Sequence, residues 1–471
     1  MLQFKSFFDL LATSKISVLG AVLVTTAIGA DAMLIIGELL IFESNPYIGI
    51  VAYVIFPGAA AFGLMLIPIG ILLRIRKLKR DPVGALVRKV SRKNVFRLIF
   101  TLTMVNFVVF AFFGYRSIHF MESAEFCGQV CHEVMSPEYT VYQRSPHSEI
   151  HCVDCHVGSG VGYLIKSKLD GTRQLAGVVL DNYARPIETP IHNMRPANEV
   201  CGVCHSPESY QGERVKLIER YDNDEANTRS YTVLNMRLGD ADEQGEIQGG
   251  VHWHSNEDQQ MRYFSSDERR EHVVRVELST KDGQTRVWTR PDSDHESTTG
   301  EHEAPRVMDC VDCHNRAAHV YIPEDQALND SLADGRIDAD IPWIRMLAEE
   351  LITKPYESNE EALAGIAELP KIYQQRYPEY WTEFGDAVQG VVPILQDIHT
   401  TYVYPNMKIA WNTYPSLLGH PTPHTSACFR CHGGTLVDEQ GLQITNDCRA
   451  CHYVLAEDEQ DPMILRMLKD D

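Results

Sequence analysis

Cys152-Val153-Asp154-Cys155-His156 and Cys310-Val311-Asp312-Cys313-His314 are two copies of one short pattern. The same pattern recurs at Cys201–His205, Cys428–His432 and Cys448–His452, and a variant with one extra residue stands at Cys127–His132. All 12 cysteines of the 471-residue chain fall into these pairs, and a histidine follows each pair. A disulfide framework has no use for that histidine, whereas C-x-x-C-H is the attachment signature of c-type haem. The two sulfurs lie about one helical turn apart, so both reach the vinyl groups of one porphyrin while the next side chain offers an imidazole to iron. Six haem c groups are therefore expected. Their thioether residues are Cys127, Cys131, Cys152, Cys155, Cys201, Cys204, Cys310, Cys313, Cys428, Cys431, Cys448 and Cys451. The proximal ligands are His132, His156, His205, His314, His432 and His452. Zinc ribbons would need paired half-sites and not a histidine fixed in the adjacent place. In the variant motif the cysteines stand at i and i+4, which still share a helix face.

Charge divides the chain in two. Residues 1–120 hold 13 basic and 5 acidic side chains, and the remainder holds 30 against 59, a net of −29. Haem propionates add to that acidity, which disfavours nucleic acid as a partner and suits either basic or haem-edge protein partners or a merely solvated acidic exterior. Three apolar stretches precede the first cysteine: Ile16–Phe42, Pro46–Leu73 and Leu98–Tyr115. The second has no charged residue from Ser44 to Leu73, and the third is bracketed by Arg97 and Arg116. Each is long enough to cross a lipid bilayer, and all are too extended for a cleaved leader. The loop between the second and third spans carries Arg74, Arg76, Lys77, Lys79, Arg80, Arg88, Lys89, Arg92, Lys93 and Arg97 against Asp81 alone. That excess marks it as cytoplasmic and sends everything after Arg116 outward, which is where bacteria attach c-type haem. The expected setting is the bacterial inner membrane, multi-pass, with the haem domain in the periplasm. Asp31 and Glu38, seven residues apart in the first span, share a helix face. They form either a proton path or a structural pair facing the bundle interior.

The expected fold is mainly α: a three-helix transmembrane anchor at 1–116, a haem domain at 117–205, an inserted β module at 206–307, the fourth haem segment at 308–320, and a helical extension with haems 5 and 6 at 321–471. The β reading rests on the alternation in YTVLNMRL and HVVRVELST and on turn signals at KDGQ and RPDSD. Within it, Gly250-Val251-His252-Trp253-His254 sets two histidines on one strand face, and at least one of them is expected to ligate iron. The alternative is buried polar strand residues. In the extension, IPWIRMLAEELIT, NEEALAGIAELPKIYQQRY and TEFGDAVQGVVPILQDIHTTY have helical periodicity. With so much cofactor per residue, the haems themselves are expected to serve as much of the hydrophobic core.

From Glu125 onward EFCGQVCHEVM, SPHSEIHCVDCH, CGVCH and CVDCHNRAAH together resemble the NapC/NirT family of membrane-anchored quinol dehydrogenases. The resemblance covers residues 97–205 and 306–320. It implies that haem 1 lies near the membrane and takes electrons from quinol, with Met135 or His132 on its iron. It further implies that His147 ligates the third haem, His319 the second and His192 the fourth. Lys168 matches the family's quinol-pocket lysine, but Gln174 stands where the family has an acid. Asp170, Asp181 or the intramembrane acids would then accept protons. The whole layout is also similar to the larger inner-membrane cytochromes of metal-reducing bacteria, in which His420 would be a distal ligand, ahead of His424 and His399.

These readings converge on a quinol:cytochrome oxidoreductase that oxidises menaquinol and delivers electrons to periplasmic c-type cytochromes. The competing reading is a non-catalytic electron-relay subunit of a larger membrane respiratory complex. Reduction of a small molecule at an open haem would need a five-coordinate iron, which the surplus of histidines disfavours.

Overall fold

The computed structural model describes residues 14–40, 51–80, 100, 104, 115–116, 118–130, 132–157, 161–191, 195–205, 211–239, 249–255, 259–291, 305–419 and 427–469. The chain forms two compact units, Met1–Ser136 with His151–Val153, and Pro137–Ile150 with Asp154–Asp471.

The first unit is built on helices α1 (Lys15–Leu40) and α2 (Phe56–Arg80), which pack along each other. Small residues let the backbones touch. A Cβ at Gly20 would fall 2.6 Å from the carbonyl oxygen of Gly63, and one at Gly63 would fall 2.8 Å from that of Gly20. The Ser17 hydroxyl donates to the Ile67 carbonyl at 2.9 Å. Glycine contacts with an interhelical serine bond are what helices use where water supplies no hydrophobic drive. The outer faces carry Leu19, Val22, Phe62, Met65 and Ile69, all exposed. Phe56–Arg76 is the one segment among the described residues that is long and apolar enough to cross a membrane, with mean hydropathy 2.1. Asp31 is buried, and its Oδ1 has no hydrogen-bond partner among the described residues. Of the third apolar stretch only Phe100, Met104 and Tyr115 are described.

The second unit is mostly helical with two antiparallel sheets. Helix α3 (His132–Gln143) enters it, and α4 (Val161–Val179) follows the second motif. Strands β1 (Gly212–Tyr221) and β2 (Arg229–Gly239) form a hairpin whose tip is closed by Asp224, which accepts from Thr228 N at 2.8 Å and Thr228 Oγ1 at 2.6 Å. Strands β3 (Gln259–Ser265), β4 (Val273–Thr280), β5 (Thr285–Thr289) and the short β6 (Arg306–Val307) make a four-stranded sheet of order β5-β4-β3-β6. The alternating stretches of the sequence thus become strands, and KDGQ becomes the turn between β4 and β5. The first sheet has order β1-β2-β7, and its third strand, β7 (His452–Glu459), comes from the far end of the chain.

One expectation needs correction. His252 and His254 do not lie on a strand: Val251–Ser255 is a 3-10 turn. Gly250 has φ +72, and a Cβ there would sit 2.6 Å from the Arg237 carbonyl, so the chain turns sharply against β2 instead of extending. In such a turn, residues two apart point in different directions.

Helices α5 (Glu324–Ala333), α6 (Ile344–Thr353), α7 (Asn359–Ile366), α8 (Leu369–Arg376) and α9 (Pro378–Tyr402) enclose a core of their own. Leu328, Ile341, Leu347, Ile366, Tyr373 and Leu395 are fully buried there. This region, which carries no haem motif, departs from the expectation that porphyrin supplies the core. The periodic stretch NEEALAGIAELPKIYQQRY forms two helices, α7 capped by Ser358 and α8 begun by Pro370 in its first turn. The β1–β2 hairpin tip docks on this core. Asn227 donates to the carbonyls of Ile341 at 2.8 Å and Ala339 at 2.9 Å and accepts from Arg345 N at 2.9 Å.

Candidate functional site

Each two-residue-spaced motif folds into a single tight turn. The histidine N–H bonds back to the carbonyl of the first cysteine in three of them, His205 to Cys201 at 2.8 Å, His314 to Cys310 at 2.8 Å and His432 to Cys428 at 3.0 Å. This i to i+4 closure gathers two sulfurs and an imidazole on one side of the backbone. Cys152–His156 is likewise one helical turn, and Cys448–Ala450 a 3-10 turn. Among the described residues Cys201, Cys204, Cys310, Cys313, Cys428, Cys431, Cys448 and Cys451 form no disulfide with one another. The variant motif differs in local structure as in sequence. Phe126–Val130 is a π-helical turn. A π turn takes up one residue more than an α turn, and it is the usual way a helix absorbs an insertion. The extra residue between Cys127 and Cys131 is thus accommodated in the backbone.

Histidines from distant parts of the second unit face one another in pairs. Ring centres stand 6.0 Å apart for His147 and His205, 6.2 Å for His156 and His319, 6.4 Å for His252 and His314, and 5.8 Å for His254 and His432. Metal–nitrogen bonds of about 2 Å on both sides, with about 1 Å more from nitrogen to ring centre, put two imidazoles on one metal about 6 Å apart. The outer nitrogens agree with that arrangement. A carbonyl can only accept, so Nδ1–H donates to Ala317 O from His147 at 3.0 Å, to Glu138 O from His319 at 3.0 Å, to Val251 O from His254 at 3.0 Å and to Thr445 O from His432 at 2.6 Å. Each bond fixes the ring and leaves Nε2 as the nitrogen with a lone pair, as for metal-ligating histidines generally. Burial lowers the proton affinity of His156, His254 and His314, favouring the neutral, ligating form. Among the described residues, no three His, Cys, Asp or Glu side chains cluster tightly enough to hold a bare ion. Paired imidazoles beside paired thiols are the donor set that iron in a covalently attached porphyrin requires.

The attachment points follow one another in space in chain order. The side chains of Cys201 and Cys310 lie within hydrogen-bond reach of each other, and Cys155 lies close enough to act on Cys201. Cys313 and Cys451 both lie close enough to Cys428 to interact with it. Motifs two through six thus form a continuous series.

The remaining candidates are less closely grouped. Met135 is half-buried in the first unit. Lys168 and Asp170 are half-buried on α4, but two residues apart on a helix they point to different sides. The Asp181 carboxylate is bound by Arg185. His192, His420 and His424 lie outside the described residues, so the ring that faces His314 in the structure is that of His252. His399 is buried in the helical core with Nδ1–H on the Ile352 carbonyl at 3.2 Å, edge-on to Tyr356. Sequence reasoning passed over Glu138, whose carboxylate lies 3.2 Å from His319 Nδ1, and Arg316, a mostly buried cation 4.1 Å from the Tyr414 ring centre. The only signal for Arg316 was its position between His314 and His319.

Residues 88–216 match the NapC/NirT cytochrome c family, N-terminal region. The chain is also 35% identical to the cytochrome c-type protein ImcH of Geobacter sulfurreducens over 456 residues, 94% of this chain and 88% of that protein. No solved structure matches it. With paired cysteines in turns, opposed imidazoles and an apolar N-terminal helix, this likeness has a direct consequence: the chain belongs to the NapC/NirT family of cytochromes c, as a membrane-associated, multihaem electron-transfer protein with covalently bound haem.

Proposed function

We propose that the protein is a quinol dehydrogenase of the bacterial inner membrane, which oxidises menaquinol beside haem 1 and passes electrons to periplasmic c-type cytochromes. In this reading residues 1–116 are a three-helix anchor with a cytoplasmic N-terminus, residues 117–205 and 308–320 hold haems 1 to 4, 206–307 is an insertion, and 321–471 carries haems 5 and 6. When bound, the haems would supply one-electron carriers.

The carrying observation is the spatial series of attachment cysteines from Cys155 to Cys451, flanked by four opposed histidine pairs. The chain's own residues hold and orient. His156 and His319 would ligate haem 2, His205 and His147 haem 3, His314 and His252 haem 4, and His432 and His254 haem 5. His132 with Met135 would serve haem 1, and His452 with His420 haem 6; His192 remains the rival of His252 for haem 4. Lys168 would bind the quinol head group. Quinol oxidation releases protons together with electrons, and Asp181 or the acids of the first apolar stretch would accept them in place of Asp170, which points to another side of α4 than Lys168.

Purified protein mixed with a menaquinol analogue tests the activity. Rapid haem reduction without any partner is expected; no reduction by a protein with intact haems would leave a relay subunit instead. The ligand set has its own test. His252→Ala should convert one low-spin haem to high spin in the electron paramagnetic resonance spectrum, and an unchanged spectrum would return haem 4 to His192.

A further inference from the structure

Arg430 lies inside the fifth motif, between Cys428 and Cys431, yet its side chain is turned into the protein and only 6% exposed. Its guanidinium donates to three carbonyls from three separate stretches of chain. Nε reaches Ala427 O at 3.0 Å, beside its own motif; Nη1 reaches Arg270 O at 2.8 Å, in the turn between β3 and β4; Nη2 reaches Asp312 O at 2.7 Å, inside the fourth motif. It forms no ion pair with a carboxylate among the described residues. The carboxylate of Asp312, whose own backbone carbonyl Nη2 bonds, is already engaged. Its Oδ1 accepts from Tyr263 Oη at 2.6 Å and Arg306 Nε at 2.8 Å, and its Oδ2 accepts from Asp309 N at 2.8 Å.

A guanidinium cannot shed its proton inside a protein, so burial here keeps a full positive charge between two cofactor-binding turns. Carbonyl dipoles solvate that charge but do not cancel it. The fork geometry also fixes the two motifs to each other, since one rigid planar group bonds the backbone of both.

We propose that Arg430 is a positioning residue for electron transfer between haems 4 and 5: it straps the fourth motif to the fifth and holds a fixed charge that raises the reduction potential there. The proposal rests on haem attachment at Cys310, Cys313, Cys428 and Cys431. A fixed cation beside a haem favours the state that has gained an electron, and low surrounding polarity lengthens its reach. Arg430 therefore makes the junction between the family-like haem unit and the C-terminal extension an electron-accepting step.

The test uses full-length haem-loaded protein in detergent. Intact mass of the wild type comes first, because missing haem adducts would defeat the attachment reading itself and not the strap. Potentiometric titration then compares wild type, Arg430→Gln and Arg430→Lys. Arg430→Gln should shift at least one haem toward the oxidised form about tenfold, a negative movement of about 59 mV for one electron. Arg430→Lys keeps the charge but cannot span three carbonyls, so it should hold its potentials within a third of that shift while melting at a lower temperature than wild type. Unmoved potentials in Arg430→Gln with full haem content would overturn the electrostatic role. Should that variant lose haem, Arg430→Lys decides: a wild-type melting temperature would overturn the strap, and a lower one with potentials held would support it.

Discussion

The helices of 324–402 and the motif turns of the same unit, from Cys201 onward, are held by different means. The helical region encloses Leu328, Leu347, Leu369 and Leu395 with no solvent contact and needs nothing from outside the polypeptide. The motif turns carry half-buried or exposed cysteines and histidines, and around them apolar side chains such as Val203, Phe429 and Val454 face outward. One region brings its own core; the other is shaped to receive one. A chain can therefore be cofactor-dependent in one part and autonomous in another, with the boundary set by which segments bury enough apolar surface alone.

The strongest way to break that contrast is to remove thioether attachment. Cys310→Ala with Cys313→Ala should abolish slow amide exchange around the third to fifth motifs while leaving 324–402 protected, as read by hydrogen-exchange mass spectrometry. Equal loss in both regions would make the helical core dependent on haem. Next in size, Leu395→Ala removes a fully buried side chain and should cost about 2–5 kcal/mol of helical-region stability without altering the haem absorption bands. Asn227→Ala leaves the Ile341 and Ala339 carbonyls and the Arg345 N–H without their partner, and should cost about 1–3 kcal/mol, visible as earlier exchange at the hairpin tip. The smallest effect belongs to Arg144 and Asp397, whose two-pronged contact ties the end of α3 to α9 on the surface. Both side chains are nearly half exposed, so Asp397→Asn should cost under about 1 kcal/mol and less in salt. The Arg144 hydrogen bond holds the Asp397 carboxyl below its usual range. That contribution is therefore present above the unfolded carboxylate value and is lost as pH falls through the lower folded one. A melting-temperature difference between wild type and Asp397→Asn that persists at the most acidic pH would contradict it.

What the sequence disclosed follows from how local each signal is. The helices of the extension and the strands at YTVLNMRL and HVVRVELST are set by near neighbours, and these stretches fold as helix and strand. Histidine pairing is not local. His252 reaches His314 and His254 reaches His432 because a left-handed Gly250 starts a tight turn, and strand alternation hid that turn by assigning both rings to one face. The resemblance led to His147 and His319 because a family pattern carries tertiary information that spacing lacks. β7 was missed because HYVLAEDE, read beside a haem motif, shows no clean polar–apolar alternation, and the strand it pairs with lies far earlier in the chain. Arg430 was hidden by being one of the two unspecified positions of its motif.

β7 is the last strand of its sheet to leave the ribosome, and it begins at the histidine of the final motif, opposite Met236. Until then one edge of β2 has no neighbour, and every residue from 240 to 451 must be made before it gains one. Late pairing across such a stretch is slow and leaves an edge open to wrong chains. Sheet closure thereby reports that the polypeptide has been completed through its sixth attachment sequence, so a chain cut short at that point would be marked for aggregation or clearance before it could carry electrons.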